Sequence, residues 1–92
     1  MNMPLLKVKE YDGCKQIEKI EEEFNELMKA STGTAEELLE ALDLITATFS
    51  LITHRFSLYQ IQAALTRHAH KLITERGWET KGTIKIELEE EE

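Results

Sequence analysis

The chain has 92 residues, a formal net charge of -7 and an apolar fraction of 41%. That is length for one domain, read as spanning 1–92, and a chain this short buries only about two-thirds of the surface it exposes when unfolded, so a partner subunit is expected to contribute. The acidic balance disfavours nucleic acid, whose phosphates select basic surfaces; the lone Cys14 excludes an internal disulfide or a thiolate metal cluster.

The glycines at 13, 33, 77 and 82 punctuate the chain, and three helices are predicted between them, over 14–30, 34–53 and 57–76. The helical core is thus about 14–77, flanked by terminal segments 1–13 and 78–92. Near the start, the longest apolar stretch covers only 4–6, too short for a signal peptide. Nowhere does an apolar run reach the roughly 20 residues of a membrane span. The expectation is a soluble, cytoplasmic protein with no membrane contact. Residues 5–9 and 83–88 alternate apolar and polar side chains, the period of strands, so the two ends can pair as a short β-ribbon with Lys7 and Lys9 opposite Glu87 and Glu89.

The first helix carries Ile17, Ile20, Phe24, Leu27 and Met28 on one apolar face. Beside that face run Glu21, Glu22, Glu23 and Glu26, and Glu23 and Glu26 are one turn apart. Residues 31–33 end the helix, and Thr34 with Glu37 forms a capping-box pattern for the second. Ser57 and Gln60 repeat that pattern for the third, whose apolar face is Leu58, Ile61, Leu65, Ala69 and Leu72.

Most of the second helix is apolar, which predicts burial on most sides. Its polar residues Glu36, Glu40, Asp43, Ser50 and His54 fall on one narrow line, with Glu40 and Asp43 at the centre. Carboxylates on a buried helix are costly unless paired or bound to metal. Between residues 30 and 54 there is no Lys or Arg to pair with them. An antiparallel hairpin across the short 31–34 turn brings the acids of both helices together. Mutual repulsion is then relieved by a hard divalent cation, and Mg2+ prefers such oxygen donors. The competing reading of the first-helix acids is a solvated charge run.

The stretch Glu22-Glu23-Phe24-Asn25-Glu26 followed by Glu40-Ala41-Leu42-Asp43 reads E-E-x-x-E, a spacer, then E-x-x-D. This pattern resembles the MazG-like, all-α nucleoside triphosphate pyrophosphohydrolases, and the likeness extends over about residues 18–77. The resemblance implies metal ligands at Glu23, Glu26, Glu40 and Asp43, with Glu22 orienting water or ligands. It implies Mg2+-dependent cleavage of a nucleoside triphosphate between its α- and β-phosphates, in a nucleotide-housecleaning role. It also implies a helical bundle, which three helices complete only by forming a homodimer or homotetramer.

Lys71 and Arg76, basic residues late in the third helix, are the candidates for binding substrate phosphate; pairing with surface glutamates is their alternative role. Trp78 is read as a packing or base-stacking residue, and His54 as structural. No Glu-x-x-His, Walker-type or dinucleotide-binding pattern occurs. The alternative function is a non-enzymatic helical oligomer that binds metal or nucleotide as a regulatory or interaction module.

Overall fold

The computed structural model describes residues 3, 4, 6, 10–85 and 87. Among these it is all-helical: α1 spans Gly13–Lys29, α2 Ala35–Arg55 and α3 Leu58–His70, and α3 continues into a π-helical turn at Lys71–Glu75. No described residue lies in a strand. The expected β-ribbon falls mostly on residues outside the described set, namely Leu5, Lys7, Val8 and Lys9 at one end and Ile86, Leu88 and Glu89 at the other. By its internal contacts the chain forms two compact units, Met1–Ile61 and Gln62–Glu92.

Each helix begins where side chains can satisfy its first backbone N–H groups. For α1 the cap is Asp12, whose Oδ1 accepts from the N–H groups of Cys14 at 2.9 Å and Lys15 at 3.3 Å. At α2, Thr34 Oγ1 accepts from the Glu37 N–H at 3.2 Å. The Glu37 carboxylate answers by accepting from Gly33 N–H, one residue earlier than a standard capping box. At α3 the box is complete: Gln60 N–H donates to Ser57 Oγ and Ser57 N–H donates to Gln60 Oε1. Removing the α2 cap by Thr34→Ala should cost about 1 kcal/mol, checked by thermal denaturation.

The connection from α1 to α2 turns through Gly33, whose φ of 77° is left-handed and suits a residue without Cβ. The two helices pack as an antiparallel hairpin. Gln16 Nε2 donates to the Ala47 carbonyl at 2.7 Å. Seven residues further along α1, Glu23 meets Glu40, seven residues back along α2. Where the helices meet, Ala47 is 7% exposed and Ser50 4%, the buried residues of the described set.

The expectation that α2 is buried on most sides is not met within the chain. Leu38, Leu39, Leu42 and Ile45 are exposed, as is Phe56 just beyond the end of α2. One neighbouring helix covers one face only, so an apolar face all round cannot be satisfied by a hairpin. Tyr59 and Trp78 are also exposed.

The third helix was expected to run evenly to Arg76. Instead its last turn is widened: Arg76 N–H donates to Lys71 O, five residues back, at 3.0 Å. The β-branched pair Ile73 and Thr74 sits in this turn, where side chains branched at Cβ crowd a tighter α-helical one. Gly77 then reverses the chain at φ 67°, and Trp78 N–H donates to Leu72 O, six residues back.

Candidate metal centre

The hairpin brings a carboxylate from α1 beside two from α2. Oxygen atoms of Glu23, Glu40 and Asp43 all lie within 4.8 Å of one another. Glu40 and Asp43 are three apart and so share a face of α2, and Glu23 reaches them from α1. Glu23 and Glu40 are half-buried, whereas Asp43 is exposed.

The electrostatic cost of this arrangement registers on Glu40. Desolvation holds its carboxyl above the ordinary carboxylate range, and the charges of Asp43, Glu26, Glu23 and Glu36 push in the same direction. Glu26 thus acts on the group through space, but its oxygens are not part of the convergent set. Glu22 lies on the exposed side of α1.

One cation offsets the negative charge, and sequence reasoning missed it. Lys19 Nζ lies 2.8 Å from Glu23 Oε1 and 3.7 Å from Glu22 Oε1. The Glu23 side chain is 12% exposed, so this pair sits at the edge of the hairpin interface. Its hydrogen bond to Glu23 holds the Lys19 ammonium above its usual pKa despite some desolvation. The signal was present in the sequence as an i,i+4 spacing from Lys19 to Glu23. The pair lies within α1, outside the 30–54 stretch that lacks Lys and Arg.

Lys19 and a metal ion would compete for the same carboxylate. Replacing Lys19 by Met should therefore lower stability without metal by about 0.2–1 kcal/mol, the worth of a pair whose ammonium is exposed, and should enlarge the rise in Tm on adding Mg2+. Differential scanning fluorimetry with and without the ion reads both effects.

The donor set suits a hard cation. Three oxygens sharing one octahedral Mg2+ would stand about 3–4 Å apart. Lying within 4.8 Å of one another here, they would have to draw together by up to about 2 Å to hold the ion. Three carboxylates also leave coordination positions for water or phosphate oxygen.

Beside the acids a groove of about 320 Å³ runs between the helices, lined by Gln16, Lys19 and Glu23 of α1, by Asp43, Thr46, Ala47 and Ser50 of α2, and by Leu6. One turn beyond Ser50, His54 stacks on Tyr11, with ring centroids 4.6 Å apart and planes 10° apart. His54 Nδ1 is 2.7 Å from the Ser50 carbonyl oxygen. A carbonyl only accepts, so Nδ1 carries the proton, and His54 ties down the end of α2 as expected.

Lys71 and Arg76 belong to the second unit, Lys71 opening the π-helical turn and Arg76 closing it. His70 Nδ1 lies 3.9 Å from Glu75 Oε1 across that turn, an ion pair when the ring is protonated. Among the described residues, no helix is long and apolar enough to cross a membrane.

No family model matches the chain, and searches of curated proteins and of solved structures find no match either.

Proposed function

We propose that this chain is a Mg2+-dependent nucleoside triphosphate pyrophosphohydrolase of the MazG-like type, working as a homodimer or homotetramer. The observation that carries the reading is the convergence of Glu23, Glu40 and Asp43 from two helices. These are three of the four ligands expected from the E-E-x-x-E and E-x-x-D pattern. Glu26, the fourth, lies close enough to act on the charge of Glu40. A metal ion held there would polarise phosphoryl oxygens, acidify a bound water and neutralise the leaving pyrophosphate. The protein's part is to hold the carboxylates at fixed spacing on paired helices, with Lys19 fixing the position of Glu23.

The test is incubation with a panel of ribo- and deoxynucleoside triphosphates, with and without Mg2+, measuring pyrophosphate and monophosphate together. Equal release of both, only with Mg2+, is the expected result. Release of orthophosphate and a diphosphate would show that a different bond is cut. A second reading, a metal- or nucleotide-binding module without turnover, draws on the Lys19–Glu23 pair, which already offsets part of the charge without a metal. It predicts that Mg2+ stabilises the fold while no triphosphate in the panel is consumed.

A further inference from the structure

The residues of α1 that are not exposed, Gly13, Gln16, Ile20, Glu23 and Leu27, recur at alternating spacings of three and four. That is the seam by which one helix packs on another, and such positions ordinarily hold apolar side chains. Gln16 and Glu23 are polar, and they stand one heptad apart. Glu23 belongs to the carboxylate set, and Gln16 does not. Gln16 Nε2 instead donates to the Ala47 carbonyl at 2.7 Å, the one side-chain hydrogen bond between α1 and α2 among the described residues.

That bond rescues no stranded group on α2. In the helical ladder a carbonyl already accepts from the N–H four residues on, so the Gln16 amide is a second donor to Ala47. What the bond adds is a tie between the helices.

The charges of the hairpin show what the tie resists. The turn at residues 31–34 joins the two helices at one end. Next along come the carboxylates of Glu23, Glu40 and Asp43, within 4.8 Å of one another and drawn from both helices. Lys19 pairs with Glu23, but α2 holds no Lys, and its Arg55 is the last residue of the helix. Like charges facing across the pair push the helices apart, hinging them about the turn. At 1.5 Å of rise per residue, Glu23 lies about 9 Å and Gln16 about 20 Å from the hinge end of α1 at Lys29. Parting the acids by about 1 Å therefore carries Gln16 about 2 Å from Ala47, enough to break its hydrogen bond.

We infer that Gln16 is a positioning residue for the carboxylate centre: its amide latches the open end of the hairpin and so holds Glu23 against Glu40 and Asp43 in the chain without metal. Further out, Tyr11 stacks on His54 at the same end, so removing the latch loosens the hairpin without dissolving it.

The latch does not rest on the hydrolase reading; only its response to Mg2+ rests on the metal reading. A double-mutant cycle on the full chain tests it, by thermal denaturation at pH 7 with EDTA. Gln16→Met keeps a long unbranched side chain and removes the N–H donors. It should lower Tm by about 4–8 °C in the parent. In the Glu40→Gln background, where there is less repulsion to resist, the loss should be less than half as large. The two positions lie about 10 Å apart along the helices, a distance at which unconnected changes add. A bond that contributes only its own strength would therefore cost the same in both backgrounds. Equal losses, or no loss in either, overturn the latch. If Gln16→Met alone does not fold, Glu40→Gln should restore folding, and failure to do so overturns it as well. Saturating Mg2+ should act as Glu40→Gln does, shrinking the loss by drawing the acids together. A loss that shrinks with the amide but not with Mg2+ supports the latch and overturns the metal reading.

Discussion

Glu40→Gln and Asp43→Asn should each reduce pyrophosphate release at least about 100-fold, because loss of a ligand should exceed the 10–100-fold typical when a group that merely orients a ligand is removed. Both should keep the helical circular dichroism of the parent, and both should weaken the rise in Tm on adding Mg2+. Glu40→Gln should also raise Tm without metal at neutral pH. The carboxyl of Glu40 is held above the ordinary carboxylate range, first by desolvation and then by its acidic neighbours. A raised pKa means that the folded chain holds this proton more tightly than the unfolded one. The associated stability is fully present below the unfolded pKa and is lost as pH rises through the folded pKa. At pH 7 the ionised group therefore weighs against folding, and the amide relieves it. The gain in Tm should shrink when the comparison is repeated at a pH below 4.5. A lower Tm for the glutamine variant at pH 7 would refute the strain assigned to Glu40, and full turnover in either variant would refute the site.

Ala47→Leu should be among the most destabilising single changes. Ala47 is 7% exposed, and its carbonyl receives the Gln16 side chain across the helix pair at 2.7 Å. A larger side chain there forces α1 and α2 apart, at a cost of about 1–3 kcal/mol. For a domain of this size each kcal/mol moves Tm by about 4–8 °C. The same displacement draws Glu23 away from Glu40 and Asp43, so Mg2+ should stabilise the variant less than the parent. Ala47→Ser, which adds a single oxygen, should lose much less. Thermal denaturation with and without Mg2+ reads all three, and a leucine variant as stable as the parent would mean the helices do not approach closely at this point.

The helices were legible because apolar residues recur at helical spacing and Gly33 and Gly77 end two of them. The start of α1 was read as Cys14 and lies at Gly13, since the capping role of Asp12 appears only once its carboxylate is seen to accept two N–H bonds. Glu23, Glu40 and Asp43 could be nominated because residues three apart share a face, and a short turn makes neighbouring helices antiparallel. Which acids converge could not be read from spacing. Glu23 and Glu26 look equivalent on a helical wheel, but only Glu23 is turned into the groove. The exposure of Leu38, Leu42 and Ile45 could not be read from the sequence, because helical periodicity shows that a face is apolar, not what covers it. The widened turn at Lys71–Glu75 leaves no periodic mark, because a single irregular turn is too short to shift an apolar repeat.

That turn also bears on the aim of the residues just after it. An i→i+5 hydrogen bond accommodates one residue more than an α-helical turn would, within about the same swept angle. Deleting a single residue there would return the segment to ordinary winding and leave Arg76, Gly77 and Trp78 facing nearly as before, whereas a deletion in the regular part of α3 would turn them by about 100°. The end of this helix is thus a place where the chain can lose a residue without redirecting its guanidinium and indole.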